Sequence, residues 1–67
     1  MEVDGFNFTP GSYLVSADYP GINLQGVDLS GSRGLGVDFS GANLSFSNLH
    51  SADFSLGNLS GVNLTNA

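Results

Sequence analysis

A large apolar residue recurs at every fifth position from Leu14 onward, and this period constrains the fold more than any other feature of the chain. Ten of the eleven residues in the series are Leu, Phe or Tyr. In a straight helix, residues five apart point about 140° away from each other. In a straight strand, residues an odd number of positions apart lie on opposite faces. We therefore predict a backbone that turns a corner at each repeat, so that one interior is lined by Leu14, Tyr19, Leu24, Leu29, Gly34, Phe39, Leu44, Leu49, Phe54, Leu59 and Leu64.

The positions around this series follow the same period. The residue two places before each member is small or Val-sized except at Ile22, and nine of the eleven residues one place before are Asp or Asn. Gly is frequent two places after, where a tight turn needs unusual backbone angles.

These features resemble the pentapeptide-repeat family, whose consensus is A(D/N)LXX. Residues 42–46 (Ala-Asn-Leu-Ser-Phe) and 52–56 (Ala-Asp-Phe-Ser-Leu) match it position by position. The resemblance implies an all-β fold, a right-handed quadrilateral β-helix of about three coils, each with twenty residues and four walls. We predict that residues 1–11 form an N-terminal cap segment and that residues 12–67 form the pentapeptide-repeat β-helix.

Composition excludes several classes of function. The net charge is −5 with no Lys and a single Arg, which argues against direct nucleic-acid binding because phosphate contacts need clustered cations. The chain has no Cys, which excludes disulfides and thiolate metal sites. No apolar run approaches membrane-spanning length and no basic signal-peptide stretch is present, so we predict a cytoplasmic protein without a membrane partner.

The two predicted ends differ. The apolar N-terminal segment is expected to cover the first coil, whereas the last coil is expected to present an apolar centre and unpaired backbone groups, which form a template for pairing. We predict a C-terminal docking end that binds a second copy or a larger assembly, and the resemblance adds that family members often dimerise there. The alternative is that the chain is a piece of a longer solenoid. The docking end consists of Leu49, Phe54, Leu59 and Leu64.

A spacing of twenty residues also predicts which side chains stack. Asn23, Asn43 and Asn63 should form an amide ladder with hydrogen bonds along it, and Arg33 should lie between Tyr13 and Asp53 and pair with the latter.

Gly34 leaves a gap in the interior series. We expect either that Phe39 or Phe54 fills the gap or that a local bulge swings Leu35 inward. In both cases this segment is the expected site of distortion.

Several large apolar residues fall at outward positions, where polar residues are expected. A side-wall contact surface is one interpretation, although scattered exposed apolar residues need no function. The candidates are Tyr13, Val15, Leu35, Leu56 and, at another corner, Phe46.

The sequence predicts no enzyme, cofactor or small-molecule substrate. His50 is the single His, lies at an outward position and has no predicted nucleophile partner. Asp18 and Asp38 would stack, but two oxygen-bearing groups are too few for a hard cation. The interior is expected to be filled by its own side chains.

We therefore predict a non-catalytic structural or protein-interaction module that binds a protein partner or itself. The alternative is a DNA-mimicking inhibitor or protector of an enzyme such as DNA gyrase, a property of some members of the family. The predicted charge density is about half that of B-DNA. We expect the acids Asp4, Asp18, Asp28, Asp38 and Asp53 to lie on all four walls and not on one stripe. The candidate DNA-mimic acids are Asp18, Asp28, Asp38 and Asp53.

Overall fold

The computed structural model describes residues 1–67 and contains no helix. Its two regular strands are β1 (Glu2–Val3) and β2 (Phe6–Asn7), which pair antiparallel as a hairpin with Val3 opposite Phe6. The rest of the chain pairs with itself through seven isolated parallel bridges between residues twenty apart. The fold is therefore all-β, as predicted, and the twenty-residue spacing is confirmed.

The bridges divide the chain into layers and rows that we use below. Layer 1 comprises residues 11–30, layer 2 residues 31–50 and layer 3 residues 51–67. Bridged residues from successive layers form row 1 (Tyr13, Arg33, Asp53), row 2 (Asp18, Asp38, Asn58), row 3 (Asn23, Asn43, Asn63) and row 4 (Asp28, Asn48).

A tight turn follows each row position. In twelve turns, from Thr9–Ser12 to Leu64–Ala67, the N–H of the fourth residue donates to the carbonyl of the first at 2.9–3.3 Å. The third residue always has a positive φ, between 55° and 76°, and seven of the twelve are Gly. Positive φ at the third residue is the pattern of a type II turn, which also favours Pro at the second position, as at Pro10 and Pro20.

Backbone hydrogen bonds join successive layers in three repeating kinds. The interior residue donates to the row residue of the next layer, as in Leu24 to Asn43 at 2.8 Å. The N–H of the row residue donates to a carbonyl of the layer before it, as in Asn43 to Ile22 at 2.9 Å. The N–H of the third turn residue donates to a carbonyl of the next layer, as in Gly26 to Ser45 at 2.9 Å. Each polar backbone group between layers thus has a partner, which burial requires.

The interior is a single apolar cluster that is most completely buried in the middle of the molecule. It contains Phe8, Leu14, Ile22, Leu24, Val27, Leu29, Val37, Phe39, Ala42 and Leu44. Burial decreases toward layer 3, where Phe54, Leu59 and Val62 are only partly buried.

An aromatic column runs through this interior along the direction in which the layers stack. Phe8 meets Tyr19 edge-on at 5.2 Å, Tyr19 stacks on Phe39 at 5.9 Å, and Phe39 meets Phe54 edge-on at 5.5 Å. These centroid distances and geometries are those that favour aromatic pairs. The column therefore connects the N-terminal hairpin with layer 3.

Phe54 fills the gap at Gly34. A Cβ on Gly34 would lie 2.7 Å from Cδ1 and 3.0 Å from Cε1 of the Phe54 ring. Leu35 remains outside, 46% exposed, so the alternative of a bulge is wrong. The expectation of distortion here is also wrong, because the bridges of Arg33 to both neighbouring layers are regular.

Candidate functional site

Layer 3 ends in an apolar surface formed by the predicted docking residues. Leu49, Phe54 and Leu59 are partly buried and pack against the core, whereas Leu64 is 44% exposed. A notch of about 480 Å³ lies beside them, lined by Ser47, Asn48, Leu49, His50, Leu64 and Ala67. Leu49 and Leu64 thus line one notch, and Phe54 and Leu59 belong to layer 3 and pack against the core.

The backbone rim of this end has free hydrogen-bonding groups. The equivalent groups earlier in the chain bond to residues about twenty places later, whereas over residues 47–67 twelve groups have no partner in the structure. They are the N–H groups of Leu49, Ser51, Phe54, Leu56, Leu59, Gly61, Leu64 and Asn66 and the C=O groups of Ser47, Ala52, Gly57 and Val62. This end therefore combines an open apolar centre with a pairing edge.

The opposite end is covered at its centre by the N-terminal hairpin. Phe8 is 1% exposed, and Phe6 meets the Tyr19 ring edge-on at 5.0 Å. The hairpin closes on itself, since the N–H of Phe8 donates to the carbonyl of Met1 at 2.8 Å and the Met1 amine donates to the carbonyl of Phe8 at 2.8 Å. The row N–H groups of layer 1, such as that of Asn23, have no acceptor. The hairpin thus covers the interior but leaves the rim free, a distinction that the sequence did not reveal.

A groove of about 310 Å³ runs along row 1 at the side of the molecule. Its walls come from all three layers and comprise Tyr13, Val15, Arg33, Leu35, Asp53 and Ser55. Three of the predicted side-wall residues therefore lie together, and Tyr13 is 76% exposed. Leu56 is 89% exposed and follows Ser55 in the chain, but does not line the groove. Phe46 belongs to a different turn, after row 3.

Leu56 and Phe46 have an unusual backbone conformation that we did not predict. They occupy the third turn position, where seven other turns have Gly, with φ values of 60° and 58°. A left-handed conformation is unfavourable for a bulky residue by about 1–2 kcal/mol. The signal was present in the sequence, because the register of the glycines places both residues at this position.

Local hydrogen bonds determine where the row side chains point. In eight turns the Oδ1 of the Asp or Asn accepts the N–H two residues later at 2.9–3.2 Å, as Asn43 does from Ser45. Asp18 is the exception because the residue two places later is Pro20, which has no N–H. Asn23, Asn43 and Asn63 stack in row 3 as predicted. The hydrogen bonds predicted along this ladder are absent, since each Asn Oδ1 accepts from its own turn instead.

These bonds also affect the charge of three predicted acids. The Ser30 hydroxyl, and then its backbone N–H, hold the pKa of Asp28 below its usual value. Ser40 and Ser55 lower the pKa values of Asp38 and Asp53 in the same way. The positive charge of Arg33 adds a smaller lowering at Asp53, although no hydrogen bond joins the two side chains.

The acids are less widely distributed than predicted. Asp53 lies in row 1, Asp18 and Asp38 in row 2, and Asp28 in row 4, whereas row 3 contains only Asn. The expectation that acids occupy all four walls is therefore wrong.

No catalytic or metal-binding geometry is assembled around the remaining polar residues. His50 lines the notch together with Ser47, but the Ser47 hydroxyl donates to the carbonyl of Leu44 at 2.6 Å instead of to the imidazole. The structure has no cluster of three potential metal-ligating side chains and no helix that could span a membrane.

Comparisons with known proteins identify the repeat. The family model described as "Pentapeptide repeats (8 copies)" matches residues 11–44 and 20–55, which together cover more than half of the chain. Searches of curated proteins and of solved structures gave no match. The family is compatible with a non-catalytic interaction module.

Proposed function

The chain belongs to the pentapeptide-repeat family, and we propose that it is a right-handed quadrilateral β-helix that acts as a non-catalytic protein-interaction module. The twenty-residue spacing of the bridges and the turn after every fifth residue support four sides per layer. The right-handed winding is carried over from the resemblance. We propose that the module uses no cofactor or substrate, makes no direct contact with nucleic acid and lies in the cytoplasm.

The proposed docking surface is the layer 3 end, and the proposed partner is a second copy. The observation that carries this proposal is the coincidence of twelve free backbone groups with the open apolar surface around Leu64. Hydrogen bonds to the rim would align the partner, while burial of apolar area at about 25 cal/mol per Å² would stabilise it. The hairpin covers the interior at the other end, which favours docking of two layer 3 ends over head-to-tail stacking.

Sedimentation equilibrium with two matched charge variants tests this proposal. Leu64→Asp places a carboxylate at the apolar centre, whereas Ser60→Asp places the same charge on an exposed turn of the same layer. We expect the wild type and Ser60→Asp to gain mass with concentration and Leu64→Asp to remain at 6.9 kDa. Hydrogen exchange should show concentration-dependent protection of the Phe54 and Leu59 amides. A wild-type monomer at several hundred micromolar would refute the proposal.

Fewer observations support the DNA-mimic alternative than support docking at the layer 3 end. The lowered pKa values of Asp28, Asp38 and Asp53 let these carboxylates keep their charge to a more acidic pH than ordinary Asp side chains, and Asp18 stacks with Asp38 in row 2. No acid lies in row 3, however, and no row contains more than two. A gyrase supercoiling assay without any effect at micromolar protein would exclude this alternative.

A further inference from the structure

We infer that the free backbone rim of layer 1 is a second docking surface, that its partner is the layer 3 end of another copy, and that the N-terminal hairpin, residues 1–8, blocks this contact. Two copies joined in this way would stack head-to-tail with equal rows in line, as successive layers do within one chain. The inference goes beyond docking of two layer 3 ends, because it concerns the opposite end of the molecule.

The free backbone groups of the two ends are complementary. In rows 1–3 the layer 3 end has six free N–H groups and three free C=O groups, whereas the layer 1 rim has six free C=O groups and three free N–H groups. Two layer 3 ends that face each other have more donors than acceptors, so the layer 1 rim pairs more of them. Its groups are the C=O of Tyr13, Val15, Asp18, Pro20, Asn23 and Gln25 and the N–H of Tyr13, Asp18 and Asn23.

The bonds between layers 2 and 3 show how these groups would pair. In row 3 the Leu44 N–H donates to the Asn63 carbonyl at 2.8 Å, and the Asn63 N–H donates to the Ala42 carbonyl at 2.9 Å. The Phe46 N–H donates to the Thr65 carbonyl at 2.9 Å. Rows 1 and 2 contain the same three kinds of bond, so the spacing of twenty residues predicts the pairs one layer further on.

Layer 1 of a second copy completes this pattern when it takes the place of the next layer. The Leu64 N–H would then donate to Asn23 of the other copy, and the Asn66 N–H would donate to Gln25 of the other copy. The N–H of that same Asn23 would donate to the carbonyl of Val62. With the equivalent bonds in rows 1 and 2, every free group of these rows would have one partner.

The side chains of the two faces are compatible in this register. Leu24 of the second copy would lie over Leu64, which is 44% exposed. In row 2, Asp18 of the second copy would lie over Asn58, so two carboxylates do not meet there. A shift by one wall would instead place Asp18 over Asp53, and like charges directly opposite each other are destabilising. Charge therefore favours the register with equal rows in line.

The hairpin occupies the space that the second copy needs. Phe8 and Val3 pack against the interior cluster, and Phe6 meets an aromatic ring of layer 1 edge-on at 5.0 Å. All hydrogen bonds of residues 1–8 lie within the hairpin, so apolar contacts alone hold it on layer 1. The chain that follows stays bonded to layer 1 through the Gly11 N–H. The hairpin can therefore open without breaking a bond of the rim.

Two substitutions open the hairpin in different ways. Val3→Asp places a carboxylate against the interior cluster. Gly5→Val leaves the charge unchanged and strains the hairpin turn, where φ is 83° and an added Cβ would contact nothing. The apparent affinity of a contact rises with the fraction of molecules that are free to form it. Both substitutions should therefore strengthen head-to-tail stacking.

Disulfide trapping within row 3 measures the stacking. The chain has no Cys, and residues in successive layers lie about 4.8 Å apart, a distance that a disulfide can span. Asn23→Cys and isotope-labelled Asn63→Cys are made in each hairpin background and mixed in a glutathione redox buffer. We expect the opened variants to give at least about ten times more mixed dimer than the wild-type hairpin.

Asn43→Cys in place of Asn63→Cys is the matched control, since it lies in the same row but not at an end, and it should show no such increase. Hydrogen exchange at Leu24, whose N–H bonds layer 1 to layer 2 at 2.8 Å, reports whether layer 1 stays folded. Three results would overturn the inference: no gain of mixed dimer on opening, equal trapping of the control, or loss of Leu24 protection in both opened variants, because the rim would then not survive opening.

The result is separate from that for self-docking of the layer 3 end. A wild-type protein that sediments as a monomer, together with mixed dimer in the opened variants, would contradict self-docking and support this inference. A wild-type dimer, together with opened variants that give no mixed dimer, would do the reverse.

Discussion

Replacing Gly57 by Ala is expected to destabilise the protein, although Ala is the residue that the repeat favours at this position. A Cβ on Gly57 would lie 2.9 Å from the carbonyl oxygen of Phe54 and 3.0 Å from that of Val37. Both oxygens already accept hydrogen bonds, from Gly57 at 3.0 Å and from Asn58 at 2.9 Å. The overlap can be relieved only by moving backbone that closes a turn or joins layers 2 and 3.

The magnitude follows from two opposing effects. Overpacking costs about 1–3 kcal/mol, and the lower entropy of the unfolded chain with Ala returns about 0.4–1 kcal/mol. The net loss of about 1–2 kcal/mol corresponds to a decrease in Tm of about 5–15 °C for a chain of this length.

Thermal unfolding followed by far-ultraviolet circular dichroism measures this loss. The control is Ala52→Gly, the same exchange in reverse at the corresponding position of the preceding repeat. We expect both variants to unfold at a lower temperature than the wild type. If the lower entropy of the unfolded chain with Ala outweighed the overpacking, Gly57→Ala would instead raise Tm. That outcome would refute the packing argument.

Four further predictions concern single sites. Gly34→Ala should cost about 1 kcal/mol, because the Phe54 ring is a movable neighbour, and a double-mutant cycle in urea with Phe54→Leu should recover most of that loss. Leu56→Asn should raise the free energy of unfolding measured in urea by about 0.5–1 kcal/mol, since Asn tolerates the left-handed conformation. An unchanged urea midpoint would show that the backbone of Leu56 is not strained. Phe8→Ala should cost about 3–5 kcal/mol and abolish the cooperative thermal transition. The pKa of Asp53 is lower in the folded protein than in the unfolded chain. Asp53 therefore stabilises the fold fully above the unfolded pKa of about 3.9, and this stabilisation is lost as the pH falls through the folded pKa. Asp53→Asn should therefore flatten the decrease in Tm below pH 4, and an unaltered slope would exclude the effect.

Local chemistry explains why much of the fold was predictable. The turn conformation depends on residues within one repeat, because Gly supplies positive φ and the Asp or Asn side chain bonds to the N–H two places later. Since ten of the eleven repeats carry at least one of these signals, the interior series could be predicted from the period alone. The four residues proposed for the layer 3 end followed from the same register, and two of them, Leu49 and Leu64, line one notch.

The errors have physical causes that the period does not contain. The predicted hydrogen bonds along the row 3 ladder do not form, because each Asn oxygen accepts from an N–H two residues away, which competes successfully with an amide twenty residues away. The outcome at Gly34 depended on the ring orientation of Phe54 in the next layer. Tyr13, Val15 and Leu35 line one groove, whereas Leu56, expected on the same wall, does not line it.

The identical bonding between layers has a consequence for how the length of such a chain can change. Duplication of any twenty consecutive residues in the repeat region would preserve every donor and acceptor relation, so genes of this kind can grow by whole units without a compensating mutation. Loss of a single pentad between Gly34 and Phe54 would instead carry Phe54 above Leu29 and place Leu59 over the glycine. A deletion of five residues is thus more disruptive here than an insertion four times as long.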